Sequence, residues 1–355
     1  MKDAPILKDS TARTLATTAA VSSKVGAMRV VFLGLAFLSV GSASASELPR
    51  ASCGGWSAIG SLSEIGRSEA GSLTGAFRDR IDTRDGRHAA ARDYGVFALS
   101  EGFDGRAWSQ DRSGAAHALD APPARAIAIT EAWLRRRGWC MHDDAQIEPL
   151  PMEKADGIDL AVWRVTPRGG TPAILRFARD GGLLRQSEIW TWGARLVRHY
   201  DDWRLAGGVR MPFVERDEYP EDEDVETITL TSAVASARPP AASVFAQPAR
   251  PRDFAIDGGA ASTTVPYEDD GVGRIFVPVS VDGKGPFVFE LDTGGHLILT
   301  KETAAALQLT AAGSFNGTGG GTGIVVQGIT RTREIRIGAA VLRDQPAKVV
   351  PLSGN

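Results

Sequence analysis

Four groups of residues in this 355-residue chain are of types that carry chemistry. Asp292-Thr293-Gly294 places a carboxylate on a glycine-bearing loop, where it could act in acid–base work on water. The tripeptide alone describes a solvated turn equally well. Gly313 to Gly323 holds six glycines. It could cradle a phosphate, close over a substrate or simply be a flexible loop; without Gly-Lys-Ser/Thr opening a helix, the phosphate reading is set aside. Cys53 and Cys140 are the only cysteines and sit in no nucleophile motif, and the five histidines lack metal or triad spacing. The pair could be a disulfide or two buried thiols, and spacing leaves both open. Glu221-Asp222-Glu223-Asp224 lacks the alternating ligands and glycine of a calcium loop and reads as a solvated hairpin turn. No metal site and no cofactor are expected.

The elements that must position these residues are mainly strands. Apolar residues make up 43% and charged residues 23%, which excludes a wholly disordered chain and a multi-span membrane protein. A formal charge of −3 gives no basic excess for nucleic acid. Residues 46–237 read as a unit of strands separated by turns such as Arg84-Asp85-Gly86, Phe103-Asp104-Gly105 and Arg179-Asp180-Gly181-Gly182. Expected strands include Trp56–Glu64, Ser72–Ile81, Asp93–Ser100, Arg106–Gln110 and Ile158–Thr166, with five more up to Ala235. One helix, after Pro122-Pro123 and running towards Gly138, stands out, with arginines 135 to 137 suiting the negative end of its dipole. Tight turns between successive strands make an antiparallel meander, so the fold class is mainly β (α+β): a curved antiparallel sheet wrapped on one main helix. All eight tryptophans fall here and read as core and sheet packing more than as a ligand cavity. Residues 238–262 form a Pro-rich linker with Val244-Phe245 as a docking point.

Residues 1–45 read as an address. The apolar stretch Val30–Val40 follows Arg29 and precedes Ala43-Ser44-Ala45, the layout of a secretory signal peptide. About eleven apolar residues are too few to span a bilayer. A periplasmic or secreted location follows, and it would favour the disulfide.

From residue 263 the pattern sharpens. Arg274–Val281 and Pro286–Leu291 read as paired strands, the second running into Asp292-Thr293-Gly294-Gly295. His296–Leu299 is apolar but for its histidine, and Thr300-Lys301-Glu302-Thr303 is a capping-box pattern opening a short helix. This hydrophobic strand, Asp-Thr-Gly, apolar stretch and helix resembles the retropepsin-like aspartic proteases over about the last ninety residues. The resemblance implies a partial retropepsin-like β-barrel at 263–355 with Asp292, Thr293 and Gly294 as catalytic loop. Thr293 would brace two such loops, and Gly317, Thr318, Gly319, Gly320 and Gly321 would form a substrate-binding flap. It also implies a peptide or protein substrate and a homodimer, because single-domain members pair and this sequence holds one Asp-Thr-Gly. Two carboxylates about 3 Å apart share one proton, one acting as base on water and the other as acid. The family's second apolar-Gly element is expected after Val350 and does not appear, so the unit is expected to be incomplete. The first unit loosely resembles periplasmic lipoprotein-carrier half-barrels in strand order and compartment. That implies an apolar ligand there, and with it the alternative of a non-catalytic binding protein.

Overall fold

The computed structural model describes residues 2–7, 47–141, 144–191, 194–221, 223–292, 296–318 and 324–351. The apolar stretch read as a signal peptide lies outside the described residues. The first strand, β1 (Lys2–Leu7), joins the second of two sheets.

The first sheet has thirteen strands and is antiparallel throughout. One arm comprises β2 (Ser61–Ala70), β3 (Leu73–Asp82), β4 (His88–Asp93), β5 (Ala98–Phe103), β6 (Ala107–Gln110) and β7 (Ala116–Ala118). Helices α1 (Pro122–Arg135) and α2 (Gly138–Met141) follow. The other arm comprises β8 (Ala145–Ala155), β9 (Ile158–Pro167), β10 (Ala173–Ala178), β11 (Leu184–Thr191), β12 (Ala194–Ala206), β13 (Val209–Tyr219) and β14 (Asp224–Ser236). Every strand pairs with its sequence neighbour within an arm, and β14 against β2 joins the two arms. α1 packs on this surface with Trp133 and Leu134 buried in a core of Leu175, Phe177 and Leu184. A second core under β2, β3, β13 and β14 holds Trp56, Leu62, Phe77 and Met211.

The second sheet begins at β15 (Phe254–Ile256) and β16 (Ser262–Asp269). It continues through β17 (Ile275–Val281), β18 (Lys284–Glu290), β19 (Ile298–Thr300), helix α3 (Lys301–Leu307), β20 (Gly313–Thr318), β21 (Ile324–Ile337) and β22 (Ala340–Val350). Its order is β1-β16-β17-β21-β22-β15, with β18 on β17, β20 on β21 and β19 parallel to β22. The path is open, not a closed barrel. Val277, Val279, Leu299, Leu307 and Ile335 form its core. Among the described residues, no helix is long and apolar enough to cross a membrane.

Several local expectations are corrected. The stretch expected as a strand from Trp56 begins as a 3-10 turn, Trp56–Ala58, entered through Gly55 at φ 75°. The expected strand Asp93–Ser100 is broken by a turn in which Tyr94 N donates to Phe97 O and Asp93 Oδ1 accepts from Gly95 N. Strand β8 escapes the sequence pattern because it is an edge strand, exposed along most of its length and interrupted by Pro149 and Pro151. Phe245 docks completely, its carbonyl accepting from Trp108 Nε1 at 2.9 Å, whereas Val244 stays exposed. The linker's last part, β15, is already a strand of the second sheet. Of the tryptophans, 56, 108, 133 and 139 are buried and Trp190 is exposed; Trp192 lies outside the described residues.

Candidate active site

The β17–β18 hairpin delivers Asp292. Its register pairs Phe276 with Glu290 and Val277 with Phe289, and Leu291 N donates to Ile275 O at 2.8 Å. Pairing therefore holds the chain up to the residue before Asp292, which is exposed. Beyond the loop, Lys348 N donates to Leu297 O at 2.9 Å, and β19 lies parallel on β22 from Ile298↔Lys348 to Thr300↔Val350. Thr300 caps α3, its Oγ1 accepting from Thr303 N at 3.1 Å. The capping pattern seen in the sequence thus anchors the far end of the loop, and α3 buries Ala304 and Leu307 beneath it. Thr293 and Gly294 lie outside the described residues.

The expected flap is a hairpin in which β20 and β21 pair from Gly313↔Ile329 to Thr318↔Ile324. Gly319, Gly320 and Gly321 lie outside the described residues. Gly317 is tight against Gln327, whose amide a Cβ at 317 would strike. The base of this hairpin rests on the first sheet. Phe315 is buried with Leu73, Phe97 and Ile329. Ser314 N donates to Ser72 Oγ at 2.8 Å, and Asn316 Nδ2 to Glu223 O at 3.1 Å.

A basic cluster, invisible in the sequence, gathers at this junction. The Arg112 guanidinium lies 4.4 Å from the Phe315 ring centre and 5.2 Å from that of Phe97. Lys348 Nζ lies 5.8 Å from the same Phe315 ring. His296 is near both: burial and the Arg112 and Lys348 charges hold its imidazole below the usual range, with Asp111 opposing. Burial and Arg112 likewise lower Lys348. These residues are separated by up to 236 positions, so no local motif could have found them.

Between α1 and the curved sheet lies a cavity of about 490 Å³. Phe97, Phe103, Trp108 and Ile127 line one side, and ion pairs line the other. There Arg92 Nε meets Glu226 at 2.6 Å and Arg198 Nε meets Asp217 at 2.7 Å. Burial raises the Glu101 carboxyl, but Arg92 and Arg135 outweigh it and bring it down to about 2. The chamber suits an amphiphile better than a purely apolar ligand. Phe315 also lines it, so the second sheet closes part of its wall. Cys53 and Cys140 are bonded, with Cα atoms 5.2 Å apart, tying the segment before β2 to α2. Among the described residues no group of His, Cys, Asp or Glu is placed to hold a metal ion.

A family model described as aspartyl protease matches residues 277–355, which defines the end of this chain as an aspartyl protease-like module. No curated protein sequence matches the chain. Among solved structures, similarity is found to a putative outer membrane lipoprotein-sorting protein domain from Vibrio parahaemolyticus. That match has 10% identity and a TM-score of 0.36 and covers 51% of this chain and 86% of that one. A LolA superfamily protein from Nitrosomonas europaea gives 14%, 0.37, 52% and 89% in the same order. The Pseudomonas aeruginosa MucA/MucB complex gives 13%, 0.22, 85% and 92%. At such scores no property of those proteins is carried to this one.

Proposed function

We propose that the chain is an exported aspartic endopeptidase in which Asp292 meets its counterpart from a second copy to form a water-activating dyad. The observation that carries this reading is the exposed Asp292 at the end of β18, inside the segment that the aspartyl protease model matches. One carboxylate of such a pair must be protonated, because two negative charges in contact cannot both persist. The ionised one deprotonates water, and the other protonates the leaving nitrogen. The β20–β21 hairpin would cover the bound peptide, with Gly317 to Gly321 nearest to it. The disulfide fits an oxidising compartment. Asp292→Asn should abolish pepstatin-sensitive cleavage of peptides at acidic pH, by at least about a hundredfold given the weight of a general acid–base group. Undiminished cleavage by that variant would remove the proposal, as would a strictly monomeric active species in sedimentation.

The chamber under α1 favours a second reading, a binding protein whose protease-like module serves in packing. Fatty acyl probes should then quench tryptophan emission, Trp108 lying in the wall. No spectral change at saturating probe would count against it.

A further inference from the structure

We propose that Arg112, Lys348 and His296 form a carboxylate-binding subsite beside the Asp292 loop, built jointly by the two sheets and selecting peptides with an acidic group near the scissile bond. The inference rests on the proteolytic reading and adds a substrate class to it. Arg112 comes from the turn after β6, Lys348 from β22 and His296 from the loop that leaves Asp292. Arg112 and Lys348 share one aromatic ring, Phe315. Among the described residues none of the three has a carboxylate within ion-pairing distance, although most arginines of this protein do. The acids whose charge acts on Arg112 are Asp224 and Asp111, and Asp111 acts on His296 as well. Asp111 is engaged elsewhere, accepting from Ser113 N at 2.8 Å and Ser113 Oγ at 2.6 Å. The Nε of Arg112 is buried and makes no hydrogen bond.

Bringing like charges together at a partly desolvated junction is unfavourable unless an anion joins them. A buried guanidinium donor without an acceptor costs free energy that an incoming carboxylate would restore, and Arg offers the planar fork that carboxylates fit. His296 stands four positions after Asp292, and an extended stretch of that length spans at most about 14 Å. A substrate threading past Asp292 would therefore reach His296, on which the Arg112 and Lys348 charges act, within about four residues of the cleaved bond. Phe315 lies at the base of the expected flap, so the same ring that stacks on Arg112 carries the lid strand.

The test compares a fluorogenic peptide bearing Glu within four residues of the scissile bond with its Gln counterpart, each with a free and an amidated C-terminus. The wild-type chain should favour the acidic peptide about tenfold in kcat/KM, the scale of one charge-assisted hydrogen bond. Arg112→Met keeps the stem packed between Phe97 and Phe315 and should bring the ratio near one, whereas Arg112→Lys should retain most of it. Loss on amidation alone would identify a terminal carboxylate as the group bound, and loss on Glu→Gln alone a side chain. Equal cleavage of all four peptides by the wild type, or an unchanged preference in Arg112→Met, overturns the subsite. If no peptide is cleaved, fluorescence anisotropy of the same labelled peptides on Asp292→Asn gives the same comparison. In that case the protease reading falls alone, and equal binding of Glu and Gln peptides removes the subsite as well.

Discussion

Asp79 is completely enclosed beneath α1, where it meets Arg135, whose Nη1 donates to Asp79 Oδ2 while Nη2 donates to Glu101 at 3.1 Å. Removing one partner of a buried pair leaves a charge without compensation. Arg135→Met should therefore cost about 3–5 kcal/mol in urea unfolding, and Asp79→Asn in the same chain should recover part of it. Glu64 presents the opposite case. Burial, then the neighbouring Glu215 and Asp79, raise its carboxyl well above the ordinary range, outweighing Arg135 and Arg137. Glu64 binds its proton more tightly in the folded than in the unfolded chain. That contribution is complete below the unfolded value, near pH 4.3, and is lost as pH rises through the higher folded value. Glu64→Gln should thus gain in melting temperature relative to wild type between pH 4 and pH 8; a constant difference would show that Glu64 does not titrate there. None of this was legible in the sequence. The run from Arg135 to Arg137 reads as a complement to the α1 dipole. Instead Arg137, at φ 50°, turns into the core, where its guanidinium stacks 4.2 Å from Trp56 and donates to Ser52 O and Arg210 O. A charge pattern along a helix names no buried partner on another strand.

Elements were more legible than their ends. Gly-bearing turns marked the hairpins of the second arm because positive φ leaves few alternatives to glycine, as at Gly181 and Gly182 between β10 and β11. The same logic located β17, β18 and α3, and therefore Asp292. It failed where a strand lacks alternation, as in exposed β8, and where a glycine serves packing. Gly138 reads as a helix stop but opens α2, with Trp133 so close that a Cβ would strike its indole. The Cys53–Cys140 bond spans 87 residues, including the whole first arm and α1. Loop-closure entropy for a span of that length amounts to about 4–5 kcal/mol. The Cys53→Ala, Cys140→Ala double variant should lose stability on that scale by urea unfolding. The loss should be felt in the first sheet and not in the cleavage of any peptide, since both cysteines pack against the first sheet's core.

At the scale of the molecule the question is whether the two sheets act as one body. Their contact includes Phe315 and Ile329 against Leu73 and Phe97, the Ser72–Ser314 bonds, and Arg331 Nη1 donating to Val96 O at 2.7 Å. These partners lie more than two hundred residues apart. Each fits the alternation of its own strand, which is why the sequence divides the chain into units yet says nothing of how they meet. Gly71 offers a clean lever. It sits at φ 58° in the β2–β3 turn, with Ser314 O so near that any Cβ must displace the strand at the base of the flap hairpin. Gly71→Val combines a β-branched residue in left-handed backbone with that collision, while touching neither core. Wild type should melt in one calorimetric transition if the contact couples the sheets, and Gly71→Val should split it into two. The variant should also lose discrimination between acidic and neutral peptides, because Arg112 and Lys348 reach a common site only through Phe315. A single transition at the wild-type temperature, with discrimination intact, would mean that the sheets are merely tethered and that the first one takes no part in recognising what Asp292 acts on.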